Sequence, residues 1–147
     1  TGGRAVLHQH ELTYAVAIPL TYPDLPQGIT ESYRWLSKAL VHGLKAIGVP
    51  AEMAIPQTKE ARGQTAACFD SPSRYEITAN GRKIVGSAQV RRDGVLLQHG
   101  SILERFDLDL LLEVMAWPSE RARNVAARLL SQKAGSLDQF LPASFLF

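Results

Sequence analysis

One cysteine, one lysine and a few small residues carry the chemistry this sequence offers. Cys68 is the only cysteine among 147 residues and lies in "TAACFDSPSRYEI". A thiolate is a nucleophile that can hold an acyl group as a thioester. A lone cysteine is most often a small buried hydrophobe instead. Against that, Cys68 borders a stretch punctuated by Gly, Ser and Pro, where reactive groups tend to sit. Lys83 can reach it if the loop over residues 66–72 folds across the strands that follow, and a nearby ammonium raises the thiolate fraction. "GRKIVGSAQ" places Gly86, Ser87 and Ala88 in mid-strand. A glycine there marks either close approach by a ligand or a β-bulge. "TGGR" supplies Gly2, Gly3 and Arg4. Paired glycines let a backbone bend around a ligand, but the stretch is too short for a phosphate loop. His8 and His99 are either polar site residues or hydrogen-bonded structural histidines. No Ser-His-Asp spacing is present.

These residues need elements to position them. "RAVLH" and "LTYAVAIPL" read as two strands, rich in β-branched and aromatic residues. From Ile29 to Ile47, apolar residues recur at helical steps: Tyr33, Leu36, Leu40, Leu44 and Ile47. Thr30 is the expected N-cap, and Gly48 before Pro50 the expected stop. "AEMAIP" reads as a strand, and residues 57–67 as a loop. Asn80-Gly81 and Asp93-Gly94 separate strand-like runs and suit two-residue hairpin turns. The expectation is a three-stranded antiparallel meander with Lys83 opposite Thr78 and Ser87 opposite Gly100. Alternation then predicts an apolar core face of Tyr75, Ile77, Ile84, Ala88, Val90, Val95 and Leu97. Glu76, Thr78, Lys83, Ser87, Gln89, Gln98 and Gly100 form the other face, either solvated or a cleft wall. "DLDLLLEVMAWP" and "SERARNVAARLLSQKAG" read as helices, the second starting at Pro118 or Ser119 and ending at Gly135. "SLDQFLP" opens a candidate third. The order suggests an α+β or mixed α/β chain, one layer of helices on a sheet.

Composition narrows the function. Apolar residues make up 46% and charged residues 20%, an ordinary globular balance. The net charge of +2 is too small to point to nucleic acid. Arg91-Arg92 and the 121–128 region are local basic patches, solvated faces or lures for an acidic protein. A single cysteine excludes an internal disulfide and fits a reducing cytoplasm. The four histidines are too scattered for a zinc spacing. No transmembrane run or signal peptide is seen, so no membrane partner is expected.

Taken together, "TGGRAVLHQHELTYAVAIP", "CFDSPSRYEI", "NGRKIVGSAQVRRDGVLLQHGSIL" and "WPSERAR" resemble the lipoate-protein ligase and lipoyl/octanoyl transferase superfamily. Within it, the likeness is to octanoyltransferases of the LipM type. The resemblance implies a biotin/lipoate ligase fold related to class II synthetase cores, a mixed sheet flanked by helices. It implies that octanoyl passes from acyl carrier protein to a lysine of the glycine cleavage H protein or a lipoyl domain. Cys68 would be the acyl-thioester nucleophile and Lys83 its assistant. Gly2, Gly3, Arg4, Gly86, Ser87 and Ala88 would line the acyl pocket, with Gly100 beside them and His8 and His99 near it. No ATP, metal or other cofactor would be needed, because a thioester is already activated.

The competing readings are an ATP-dependent lipoate ligase, an amidotransferase between lipoyl domains, and a non-catalytic module that binds acylated protein. "CFDSPS", standing where ligases carry "GRND", favours the cysteine enzyme. The chain reads as one partial catalytic domain, with sequence expected before Thr1 and a shortened C-terminus.

Overall fold

A computed structural model describes residues 7–54 and 76–145. The order is β1 (Glu11–Pro19), α1 (Ile29–Ala46), β2 (Ala51–Met53), β3 (Ile77–Ala79), β4 (Arg82–Arg92), β5 (Val95–Leu103), α2 (Leu108–Val114) and α3 (Glu120–Lys133). Two short 3-10 turns follow, over Leu137–Gln139 and Ala143–Phe145. The strands form one sheet in the order β1-β5-β4-β3-β2. All four strand pairings are antiparallel. A parallel bridge joins Lys83 to Ala134. No helix among the described residues is long and apolar enough to cross a membrane.

The meander forms with the expected register. Asn80 and Gly81 have φ of 49° and 75°, and Asp93 and Gly94 have 51° and 77°. These left-handed values give the tight turns that match the twist of the flanking strands. Lys83 is opposite Thr78, and Ser87 opposite Gly100. One feature departs from simple alternation. Thr78 pairs with Lys83 but Ile77 pairs with Val85, so Ile84 is an extra residue on β4. This bulge puts Lys83 and Val85 on opposite faces, although they are two residues apart.

The bulge and α1 together reverse the expected assignment of faces. The helix packs on the face of Ile77, Val85, Ser87, Gln89 and Gln98, and Ser32 on α1 donates to Gln89 Oε1 at 3.0 Å. Ile77 and Ile84 are core as expected. Val90, Val95 and Leu97 are not: they are 48%, 38% and 38% exposed, with Ala88 on the same face. The polar face is the inner one because α1 brings its own hydroxyls to meet it.

The first core joins Leu44, Val49, Ala51, Ile77, Ala79, Val85 and Ile102 with Leu137 and Leu141. The second packs Leu103 against Leu111, Leu112, Ala126, Leu130 and Ala134 of α2, α3 and the residue after it. Truncating a leucine as enclosed as Leu130, with no exposed surface, costs about 2–5 kcal/mol.

Local caps follow the sequence with two exceptions. Asp107 caps α2 by accepting from Leu110 N, and Ser119 caps α3 by accepting from Ala122 N. The N-cap of α1 is Gly28 rather than Thr30, because the ladder already starts at Ser32 N donating to Gly28 O. Ile47 is the C-cap and is exposed, so the apolar stripe ends before it. Gly48 turns the chain with φ 94° as expected. Of "RAVLH", Leu7 and His8 are not in a strand, and the rest lies outside the described residues. "SLDQFLP" makes one 3-10 turn rather than a helix.

Candidate active site

The bulge at Ile84 creates the first part of the site. Lys83 Nζ donates to Glu76 Oε1 at 2.6 Å, and each side chain is only 5% exposed. Glu76 directly precedes β3, and Ala54 N donates to its carbonyl, so it continues the ladder beyond the Ile77–Val85 pair. That places it level with Gly86. The two charges therefore meet diagonally on the face away from α1. An ion pair this dry holds its members in one geometry, since losing either would take an opposite charge away from a buried one. Lys83 is also held through its backbone: its carbonyl accepts from Gly135 N at 2.9 Å, just beyond α3.

The second part lies across Gly86. Ser101 is opposite Gly86 on β5, and Thr13 is opposite Ser101 on β1. Ser101 Oγ donates to Glu11 Oε1 at 3.0 Å. His8 donates its Nδ1–H to the same carboxylate. The local backbone explains the meeting. His10 has φ 47°, a left-handed kink that folds His8 back toward Glu11. The kink is pinned where Glu104 N and Arg105 N donate to His10 O at 2.9 and 3.2 Å. Glu11's side chain is 5% exposed and His8's is 67% exposed. Gly86 thus forms a side-chain-free gap on the strand surface. Glu76–Lys83 lies to one side and Ser101–Glu11–His8 to the other.

The remaining candidates divide between faces. Ala88 and His99 are opposite each other on the same side as Lys83 and Gly86, and both are exposed. Ser87 and Gly100 are paired on the α1 side. Ser87 Oγ hydrogen-bonds Tyr14 OH at 2.6 Å. Gln98 Nε2 donates to Tyr14 OH at 3.1 Å, and Gln89 Nε2 to Gln98 Oε1 at 3.0 Å. Arg91 ends the chain, donating to Ser32 Oγ at 2.9 Å and to the carbonyls of Pro26, Gln27 and Gly28. Tyr33 joins at Ser87. Burial pushes its phenol up to about 12, opposed by a hydrogen bond from Ser87 and reinforced by the Glu76 charge. A Cβ on Gly100 would meet Gly86 O at 2.3 Å and Ser87 Oγ and Tyr14 Cε1 at 2.9 Å, so the strand approach depends on glycine there.

Cys68, Gly2, Gly3 and Arg4 lie outside the described residues. The sequence reading gave no role to Glu76, Glu11 or Ser101. Glu76 carried a weak signal, standing two residues before the Thr78 that faces Lys83. Glu11 carried none, because its pairing with His8 depends on the kink at His10.

The profile of the lipoyl protein ligase A/B catalytic domain matches residues 1–146. The octanoyltransferase LipM of Lysinibacillus sphaericus is 45% identical over 146 residues, 96% of this chain and 53% of its own length. The LipM of Kyrpidia tusciae is 48% identical over 141 residues, 93% of this chain and 52% of its own. The chain spans about half the length of the curated relatives it matches. Among solved structures, a bipartite lipoate protein ligase of Thermoplasma acidophilum superposes with a TM-score of 0.67 at 22% identity, covering 91% of this chain and 45% of that one. A lipoate-protein ligase A bound with ATP gives 0.52 at 22% identity, over 86% of this chain and 55% of that one. The fold is that of the lipoate protein ligases, and the chain belongs to the lipoyl protein ligase A/B catalytic domain family.

Proposed function

We propose that this chain carries the acyl-transfer centre of an octanoyltransferase. The observation that supports it most directly is the buried Lys83–Glu76 pair beside Gly86. The pair holds the Lys83 amine in one place, and an ammonium stabilises a neighbouring thiolate. In this reading Cys68 is the nucleophile. Its thiolate attacks the octanoyl thioester of acyl carrier protein, and the carrier's thiol leaves. A lysine of the H protein or a lipoyl domain then takes the octanoyl group from Cys68 as an amide. The donor thioester supplies the activation, so neither ATP nor metal enters. Gly2, Gly3, Arg4, Gly86, Ala88 and His99 border the acyl chain. Ser87 and Gly100 act from beneath by setting the spacing of β4 and β5. Relatives named as octanoyltransferases at 45% and 48% identity support the same reading.

The test is to incubate the full-length protein with octanoyl carrier protein and read its intact mass before and after hydroxylamine. The expected result is an octanoyl adduct that hydroxylamine removes and that Cys68→Ser lacks. No adduct, with lipoyl adenylate formed from ATP and lipoate instead, would make the protein a ligase.

A further inference from the structure

The acyl-transfer reading leaves one step without a group to perform it. An acceptor lysine is charged at neutral pH and must lose protons to become an amide. In that reading Lys83 attends the Cys68 thiol, and its Nζ donates to Glu76 Oε1 at 2.6 Å. The Ser101–Glu11–His8 chain lies on the same face of the sheet, across Gly86.

We infer that His8 is the general base for the acceptor amine and that Glu11 is its positioning residue. Three observations carry this. The Glu11 carboxylate can only accept, so the neutral imidazole keeps its proton on Nδ1 and its lone pair on Nε2. The imidazole is 67% exposed while the carboxylate that holds it is 5% exposed, so the fixed end is buried and the free end faces outward. Glu11 Oε1 accepts from both His8 and Ser101, while Oε2 is buried with no hydrogen-bond partner among the described residues. A histidine oriented by a buried carboxylate is the arrangement that general bases use. The carboxylate also stabilises the imidazolium once it forms.

The acceptor ammonium first releases one proton to solvent. The amine nitrogen then attacks the acyl carbon, the N–C bond forms, and the nitrogen's second proton passes to His8 Nε2. The tetrahedral adduct collapses, the C–S bond breaks, and the electron pair stays on sulfur. The imidazolium proton then returns to the thiolate, restoring thiol and neutral histidine.

The inference rests on the acyltransferase reading, and separating the two half-reactions separates their failures. In the full-length protein, His8→Ala is expected to slow transfer from the isolated acyl-enzyme to the acceptor protein about a hundredfold. It should change the rate of acyl-enzyme formation from octanoyl carrier protein by less than about threefold, because that step uses no amine. Added imidazole should restore transfer, which a merely structural histidine would not allow. Glu11→Gln, which keeps the shape and removes the charge, should slow transfer about tenfold, in the same step only. Equal slowing of both half-reactions, or a transfer defect that imidazole does not relieve, would overturn the role of His8. Transfer at the wild-type rate would do the same while leaving the acyltransferase intact. A wild-type protein that forms no acyl-enzyme removes both.

Discussion

The two faces of the sheet use polar residues in opposite ways. Beneath α1, the polar side chains are mostly neutral and bond to one another in a continuous chain: Tyr14, Ser87, Gln98, Gln89 and Ser32. On the opposite face, two carboxylates each hold a basic group, Glu76 with Lys83 and Glu11 with His8. A satisfied neutral network specifies how a helix sits on a sheet. A buried carboxylate bonded to a basic group instead fixes where that base stands and, for a histidine, which ring nitrogen faces outward. The bulge at Ile84 allows one strand, β4, to serve both purposes.

Breaking the charged face should give the largest effects. Lys83→Ala is expected to reduce acyl-enzyme formation by about 10²–10⁴-fold. It should also destabilise the fold by about 3–5 kcal/mol, because the buried Glu76 charge would lose the Lys83 ammonium. The double change Lys83→Met, Glu76→Leu sharpens the point. Denaturant unfolding should show most of the stability restored, while acyl-enzyme formation stays lost. Recovery of activity in the double variant would mean that the pair is structural.

On the α1 face, the effects should appear in stability first. Gly100→Ala forces the Gly86 carbonyl and Tyr14 apart and should cost about 1–3 kcal/mol, measured as a lowered denaturation midpoint. Gln98→Leu should cost a similar 1–3 kcal/mol or so, since Gln89 and Tyr14 both lose a fully buried partner. Gln98→Leu should leave the ratio of the two half-reaction rates unchanged, unlike any change at Lys83 or His8. A shift in that ratio would break the distinction between the faces.

The smallest effect concerns pH. Burial pushes the Tyr33 phenol up from its ordinary 10 to about 12, so the folded state holds that proton more tightly than the unfolded chain. Its contribution is fully present below pH 10 and declines as pH rises from 10 toward 12. Tyr33→Phe should flatten stability across that window, relative to the wild type, in unfolding curves taken at several alkaline pH values.

Much of this was legible in the residues alone. Asn80-Gly81 and Asp93-Gly94 determined both hairpins and therefore the pairing of Ser87 with Gly100, because positive φ is a local demand. Of the two starts expected for α3, Pro118 and Ser119, it is Ser119 that caps it, its hydroxyl accepting from Ala122 N, which is also a local demand. The family was legible only as a resemblance, carried by "TGGRAVLHQHELTYAVAIP", "CFDSPSRYEI", "NGRKIVGSAQVRRDGVLLQHGSIL" and "WPSERAR". Three things were decided only by the tertiary structure. Which face of the meander is inside depended on α1, whose hydroxyls made a polar face worth burying. The face on which Lys83 stands depended on Ile84, since one unpaired residue reverses every side chain on one side of it and no residue type announces it. The pairing of His8 with Glu11 depended on a left-handed His10 fastened to the chain beyond β5, a contact between residues more than ninety positions apart. Turns and caps are written in neighbouring residues. The faces of a sheet, and the partners of its charges, are set by what packs against it.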